Sequence, residues 1–152
     1  MQWNNKYIYP KSTRSIFQGS RHYSVNQENL PSVTTILKAT ETEEKKTKLE
    51  EWKKRVGYKQ AEVISREATS RGSSMHDYLE KFLLGKLNMD LLGDNSHEKM
   101  MADQIIENGL RDKLSEIWGC EATLYYPGKY AGAADCIGIV NISGATYQIF
   151  LF

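Results

Sequence analysis

A histidine and a glutamate four residues apart, His76 and Glu80, are the first side chains in this sequence whose types and spacing could do chemistry. A helix places residues four apart on one face, and Met75, Leu79 and Phe82 mark the neighbouring face as buried. The pair would lie at the border of the core, where an imidazole and a carboxylate can hold a metal ion or bind each other. A simple His–Glu hydrogen bond on a half-exposed helix is the alternative, and the motif alone favours it.

Asp135 interrupts an apolar, alternating segment over residues 130–140. Strict alternation would place its side chain on the strand face that carries Ile137 and Ile139. Burying a bare carboxylate there is costly unless a cation, a basic side chain or backbone donors compensate it. The small residues 131–134 would leave room for a bulky ligand to approach the sheet. The alternative is an edge strand that leaves Asp135 in solvent.

Hydroxyl side chains gather at the start of a short helix that we predict over residues 33–38, with Ser32 as its N-cap. Together with Thr34 and Thr35, this helix start offers backbone N–H groups and hydroxyls to a phosphate. Arg21 lies just upstream and would add a positive charge. Many helix starts that bind nothing look the same, so the segment alone decides little.

The elements that must position these residues follow from periodicity and from turn residues. Glycines, capping boxes (Thr40 with Glu43, Ser74 with Asp77) and the Pro127-Gly128 turn mark the predicted boundaries. In chain order we predict a flexible arm over residues 1–20, a strand over 21–26 and then the short helix. Further helices follow over about 41–56, 58–70, 74–84 and 96–118, and they end at Gly57, Arg71-Gly72, Gly85 and Gly119, respectively. The last elements are strands over 121–126, 130–140 and 145–152. Helices followed by an antiparallel meander make an α+β fold, with residues 21–152 as a single domain.

The chain has 152 residues, of which 40% are hydrophobic and 26% charged, and its mean hydropathy is -0.56. This length suits one domain, and the composition excludes collagen-like and wholly disordered chains. No segment approaches the roughly 18 apolar residues of a membrane helix, and the N-terminus lacks the apolar stretch of a secretory signal. Cys120 and Cys136 fit neither a disulfide framework nor a zinc site, which indicates two structural thiols in a reducing compartment.

The two halves of the chain differ in charge. Residues 1–75 carry 14 Lys and Arg against 8 Asp and Glu, a net charge of +6, whereas residues 76–152 carry 6 against 11, a net charge of −5. Such a split suits a protein that binds a polyanion in one place and a cation in another, although chance segregation on solvated helices explains it equally well. Tyr23 and Trp52 could stack on unpaired bases, but each also suits a core position.

These motifs, in this order and spacing, resemble those of one nuclease family. The segments concerned are Arg21-His22-Tyr23, Leu30 to Leu37, Arg71-Gly72-Ser73 with His76 and Glu80, and Tyr130-Ala131-Gly132 with Asp135. The sequence resembles phage exonucleases and the mitochondrial genome maintenance exonuclease, in the RecB-like branch of the PD-(D/E)XK superfamily, from about Arg21 to Ile149. The resemblance implies N-terminal helices packed on a small antiparallel or mixed sheet, as an incomplete restriction-endonuclease-like core.

The resemblance further implies a metal-dependent DNA exonuclease that hydrolyses phosphodiester bonds. His76 and Asp135 would bind the metal, Mg²⁺ or Mn²⁺, and Glu80 would complete the catalytic set. Mg²⁺ prefers oxygen ligands and keeps waters that can attack a phosphodiester. The residues implied to contact the DNA, which would be single-stranded or have a free end, are Arg21, Ser32, Thr34, Thr35 and Arg71. A phage-like relationship implies an intracellular, cytoplasmic setting in an infected or bacterial cell rather than in a mitochondrion.

The sequence departs from the family at the last strand. The family carries Asp/Glu-X-Lys there, whose acid binds the metal and whose lysine positions the nucleophile, whereas residues 145–152 contain neither an acid nor a lysine. Losing both should remove several kcal/mol of transition-state stabilisation, at about 1.4 kcal/mol per tenfold in rate. We therefore expect a truncated or frame-shifted exonuclease whose activity is reduced or lost.

Two other classes of function remain open. The first is a non-catalytic nucleic-acid-binding module that uses the basic half of the chain, and salt-dependent DNA binding without cleavage would identify it. The second is a helical interaction protein that uses the charged helices over residues 41–70. It would show no affinity for DNA at low salt and no response to replacement of His76.

Overall fold

The computed structural model describes residues 1–85, 96–142 and 144–151, and it confirms a mixed α+β fold. A four-stranded sheet has the strand order β1-β5-β6-β7, in which β1 and β5 are parallel and the other neighbours antiparallel. Its strands are β1 (Gln2–Trp3), β5 (Leu114–Tyr126), β6 (Tyr130–Ile142) and β7 (Ala145–Leu151). A second, antiparallel sheet contains β2 (Ser12–Phe17), β3 (Ser20–Val25) and β4 (Glu28–Pro31).

The helices lie between β4 and β5 in the chain. The described residues form α1 (Val33–Ala39), α2 (Glu43–Val56), α3 (Tyr58–Leu83) and α4 (His97–Ile105), and α4 continues as a π-helical segment (Ile106–Leu110). No helix among these is long and apolar enough to cross a membrane. The predicted loop over residues 85–95 lies, beyond Gly85, outside the described residues.

Local signals predicted some helix ends correctly. Ser32 caps α1 by accepting a hydrogen bond from the amide of Thr35, and Gly57, at φ 87°, separates α2 from α3. The predicted cap at Thr40 is wrong, because Thr42 accepts the hydrogen bond at the start of α2. The capping boxes therefore located the helix but missed its first residue by two positions.

Helix α3 runs without interruption through Arg71-Gly72, so the predicted break there and the predicted N-cap at Ser74 are wrong. A glycine inside a helix costs only about 1 kcal/mol relative to alanine. Leu79, Phe82 and Leu83 pack against the sheet at the end of this helix, and that burial outweighs the cost.

The predicted helix over residues 96–118 is wrong in its second half, because β5 already begins at Leu114. Leu114 and Ile117 are three residues apart, as on one face of a helix. The pairing of β5 with β6 shifts between Leu114 and Glu116 and again between Ile117 and Gly119. Such irregularities break the two-residue period of a strand, so the apolar spacing imitates a helix.

The four-stranded sheet has apolar residues on both faces. Helix α3 and the π-helical segment cover one face in a cluster of Leu83, Ile106, Leu110, Leu114, Ile117, Cys136 and Val140. The opposite face holds Trp118, Ala122, Ala134 and Ile137, with Tyr9 packed against them. The sheet is thus covered by helices on one side and by the N-terminal chain on the other.

Residues 1–20 contain β1 and β2, which corrects the prediction of an arm without regular structure. The indole N–H of Trp3 donates to the carbonyl of Leu83 at 3.0 Å, and the amide of Asn4 donates to the carboxylate of Glu116 at 2.9 Å. These bonds attach the N-terminus to both α3 and β5.

The three-stranded sheet and α1 pack against the turn end of β5 and β6. A small core joins them, formed by Tyr23, Val25, Leu30 and Ala131. Ser32 also forms an isolated parallel bridge with Ala131, and Val33 lies over Gly132. Since Tyr23 is only 8% exposed, it is a core residue and not a surface for stacking bases.

Candidate functional site

The imidazole of His76 and the carboxylate of Asp135 meet, although α3 and β6 are distant in the chain. Nδ1 of His76 lies 3.0 Å from Oδ2 of Asp135, and the two side chains are 47% and 32% exposed. Among the described residues the partner of His76 is thus Asp135 and not Glu80 of its own helix. The described pairing of β6 with β7 starts at Cys136, so Asp135 lies just beyond it, and its side chain is half-buried rather than free in solvent.

Asp135 faces α3, which corrects the strand face that the sequence pattern assigned to it. Ile137 and Ile139 pack on the opposite face of the sheet, whereas Cys136 packs beneath α3. Asp135 and Cys136 line one small cavity together with His76. Two successive residues of β6 therefore reach the α3 side, and the alternation of faces is broken at Asp135.

Glu121 is a site residue that the sequence interpretation missed. It follows Cys120, which pairs with Cys136, so Glu121 lies opposite Asp135 in the hairpin. Its backbone has φ 50°, a left-handed conformation that is uncommon outside glycine. Burial, followed by the negative charges of Asp135 and Glu80, raises the pKa of the Glu121 carboxyl.

One signal in the sequence could have found Glu121. Counting the antiparallel register back from the Pro127-Gly128 turn places Glu121 opposite Asp135. Glu80 joins the same group, because it lines the same cavities as His76 and Asp135. We call the four side chains His76, Glu80, Glu121 and Asp135 the His–acid cluster.

The two cysteines next to this cluster are free thiols. Burial first, and then neighbouring negative charges, raise the pKa of Cys120 to about 12 and that of Cys136 to about 11. Both thiols therefore stay protonated near neutral pH, where only a thiolate would be a strong nucleophile or metal ligand.

A cleft of about 690 Å³ opens over the His–acid cluster and also has basic walls. Arg14 and Arg21, from β2 and β3, line it together with Thr34 and Ser73. Within the described part of the chain, neither arginine takes part in an ion pair. The cleft thus combines positive charge on the three-stranded sheet with the negative charge of Glu121 and Asp135 on the four-stranded sheet.

The structure brings only some of the expected DNA-binding residues to this cleft. Arg21 and Thr34 line it, whereas Arg71 is exposed and does not. Ser32 borders the cleft but is only 2% exposed, and its hydroxyl caps α1. The hydroxyl of Thr35 donates to the carbonyl of Arg21 at 3.0 Å, so it holds α1 to β3.

The small residues of β6 make room for α1 and not mainly for a ligand. Ala131 is fully buried, and a Cβ at Gly132 would lie 3.2 Å from Cγ2 of Val33. Gly132 and the half-buried Ala133 border the cleft. Space for a ligand beside this stretch is therefore a prediction for residues 132 and 133, whereas Ala131 and Ala134 are buried in the core.

The contact between His76 and Asp135 prepares the imidazole to act as a base. When Nδ1–H donates to Asp135, the neutral ring carries its lone pair on Nε2, and the described residues offer that atom no partner. A base held in this way can take a proton from a water or a hydroxyl in the cleft.

The donor types of the His–acid cluster suit a hard divalent cation, but their placement does not form a metal site. Mg²⁺ prefers carboxylate oxygens, and three carboxylates are present. Among the described residues, however, no three His, Cys, Asp or Glu side chains are grouped so that they could hold a metal ion. His76 and Asp135 bind each other instead. Metal binding by these two residues stays a prediction.

Comparison with known proteins identifies no relative, because no protein-family model, curated protein sequence or solved structure matches the chain.

Proposed function

We propose that this chain is a DNA-processing domain of the PD-(D/E)XK exonuclease type, which binds DNA in the cleft and hydrolyses it in the presence of Mg²⁺ or Mn²⁺. The observation that carries the proposal is the 3.0 Å contact between His76 and Asp135. The helix motif and the strand motif were each ambiguous when considered alone. Their convergence in one cleft is what such a nuclease requires.

The charges of the cleft support a polyanionic substrate. Arg14 and Arg21 line the cleft without ion-pair partners in the described chain, so their charges are available to phosphates. Thr34 adds an exposed side chain beside them. A phosphodiester bound by these residues would share the cleft with the lone pair of His76.

Electrostatics supports a requirement for a divalent cation. The carboxylates of Glu80, Glu121 and Asp135 repel a phosphate that approaches His76, and the raised pKa of Glu121 has the same crowding of negative charge among its causes. A divalent cation, when bound with DNA, would offset this repulsion and polarise the phosphate.

The second candidate function is a nucleic-acid-binding module without cleavage. It is favoured by β7, Ala145–Leu151, which has neither the acid nor the lysine of the family's last motif. The lack of a three-residue metal group in the described ranges favours it as well. Both functions predict salt-dependent DNA binding, so only cleavage separates them.

A cleavage assay on end-labelled single-stranded and duplex DNA, with Mg²⁺ or with a chelator, tests the proposal. We expect Mg²⁺-dependent cleavage that falls on the order of 100-fold in Asp135→Asn. The control is Asp103→Asn, the same chemical change at an aspartate of α4 that pairs with Lys99 outside the cleft. DNA binding without cleavage would establish the module, and no DNA binding at low salt would reject both functions.

A further inference from the structure

A second, apolar cleft of about 360 Å³ adjoins the cleft of the His–acid cluster. Three tyrosines of the β5–β6 hairpin, Tyr125, Tyr126 and Tyr130, line it together with Val33, Leu124 and Gly132. Val33 and Gly132 line both clefts, so the two clefts are neighbours. We call this second space the tyrosine cleft.

Two of these rings are exposed and lie close together. Tyr126 and Tyr130 are partners in the β5–β6 register, and they are 56% and 42% exposed. Their ring centroids are 6.0 Å apart, with planes inclined by 32°. This arrangement presents aromatic surface to solvent beside the charged cleft, where a flat apolar group could stack on it.

The hairpin that carries the tyrosines is anchored to the three-stranded sheet. The side-chain amide of Asn26 donates to the hydroxyl of Tyr125 at 2.7 Å, and the amide of Gly128 donates to the carboxylate of Glu28 at 2.6 Å. Because these bonds fix the turn, the tyrosine cleft exists before any ligand binds, and little ordering is needed on binding.

We infer that the tyrosine cleft is a nucleobase subsite, which takes an unpaired base of single-stranded DNA whose backbone lies along Arg14 and Arg21. The inference rests on the proposed function and deepens it, since it names the form of DNA that is bound. A nucleotide chain has the chemistry to fill both clefts, because it carries anionic phosphates for the arginines of one cleft and flat bases for the tyrosines of the neighbouring cleft. Unpaired bases stack on aromatic side chains regardless of sequence, whereas paired bases are already stacked within the duplex.

The test compares a fluorescent single-stranded oligonucleotide with an abasic oligonucleotide of the same length, which keeps the backbone and lacks the bases. Affinities for both oligonucleotides are measured with three proteins. They are the wild type, the double variant that combines Tyr126→Ala and Tyr130→Ala, and the double variant in which phenylalanine replaces the same two tyrosines and both rings are retained. Tyr147→Ala is the matched control, because Tyr147 is 52% exposed on β7 and lines neither cleft.

We expect the wild type to bind the base-bearing strand more tightly, and the double alanine variant to lose about tenfold in affinity for that strand alone. The phenylalanine and Tyr147 variants should bind both strands as the wild type does. Unchanged binding of the abasic strand also shows that the alanine variant is folded.

Equal wild-type affinity for the two strands would overturn the nucleobase subsite and leave the proposed function standing. Equal loss on both strands in the alanine variant would overturn the subsite too, because the tyrosines would then act through the backbone or the fold. Failure of the wild type to bind either strand would overturn the subsite together with DNA binding itself.

Discussion

Glu121 lies opposite Asp135 across the β5–β6 hairpin, and its backbone is held in the left-handed region at φ 50°. This conformation costs free energy for any residue with a Cβ, and such strain is often found at functional sites. It occurs here where a second carboxyl meets Asp135, and burial, followed by the negative charge of Asp135, raises the pKa of the Glu121 carboxyl. The His–acid cluster is therefore assembled at some expense of stability.

Replacement of Glu121 by glycine is expected to increase the free energy of unfolding by about 1 kcal/mol, because glycine adopts positive φ without steric cost. Glu121→Gln keeps the backbone strain and removes only the charge that repels Asp135, so it should stabilise less. Urea unfolding followed by tryptophan fluorescence measures both changes. A glycine variant less stable than the wild type would contradict the left-handed conformation.

His76 and Asp135 are expected to act as one unit in DNA cleavage. His76→Ala and Asp135→Asn should each lower the rate on the order of 100-fold, and the double variant should be little slower than the worse single variant. Initial rates of cleavage measure this. Because the pair is partly exposed, its contribution to stability is below about 1 kcal/mol, and unchanged thermal midpoints would exclude unfolding as the cause. Multiplicative losses would show that the two residues act independently.

Arg14→Gln and Arg21→Gln are expected to weaken DNA binding uniformly across sequences. Each should reduce the slope of log affinity against log salt by about 1, since each removes one phosphate contact and its released counterion. Binding titrations over a series of salt concentrations give the slopes. Arg55→Gln, at an exposed arginine of α2 outside the cleft, serves as the control. Slopes that fall equally in all three variants would count against a specific basic wall.

Gly138→Ala is expected to destabilise the protein severely, by roughly 3 kcal/mol, because a Cβ there would overlap the carbonyl oxygen of Glu116 in the paired strand. Gly72→Ala is expected to have the opposite effect on stability. Apart from the adjoining residues and backbone of α3 itself, no described atom lies within 4 Å of its Cβ position, and alanine there should stabilise by up to about 1 kcal/mol. Denaturant midpoints compare the two variants, and destabilisation by Gly72→Ala would argue for a real helix break at that residue.

Stability is expected to fall at acidic pH through Glu116. Hydrogen bonds from the indole of Trp118 and the amide of Asn4 hold the pKa of the Glu116 carboxyl below its usual value of 4.5. A carboxyl whose pKa is lowered by folding stabilises the protein above its unfolded pKa and loses this contribution as pH falls through the folded pKa. Thermal unfolding from pH 7 to pH 3 should therefore be less pH-dependent in Glu116→Gln. An unchanged pH profile would show that the contact contributes nothing.

Local patterns in the sequence were sufficient wherever one or two residues decide the geometry. The N-cap at Ser32, the break at Gly57 and the turn at Pro127-Gly128 were all predicted, because each depends on backbone or hydrogen-bonding properties of those residues alone. The same holds for the choice of His76 and Asp135 as candidates, which needed only their types and their apolar neighbours.

What the sequence by itself determined is thus the α+β class, the antiparallel order of the last three strands, the caps and turns named above, and two side chains of the candidate site. The tertiary structure alone decided that α3 continues through Gly72, that β5 starts at Leu114, and that Asp135 turns toward α3 to meet His76 and Glu121. The reason is that packing against the sheet overrides a glycine's small helix penalty. Irregularities in strand pairing, likewise, change the face of the sheet that a residue occupies. They depend on the partner strand, and the periodicity of a single segment carries no information about that partner.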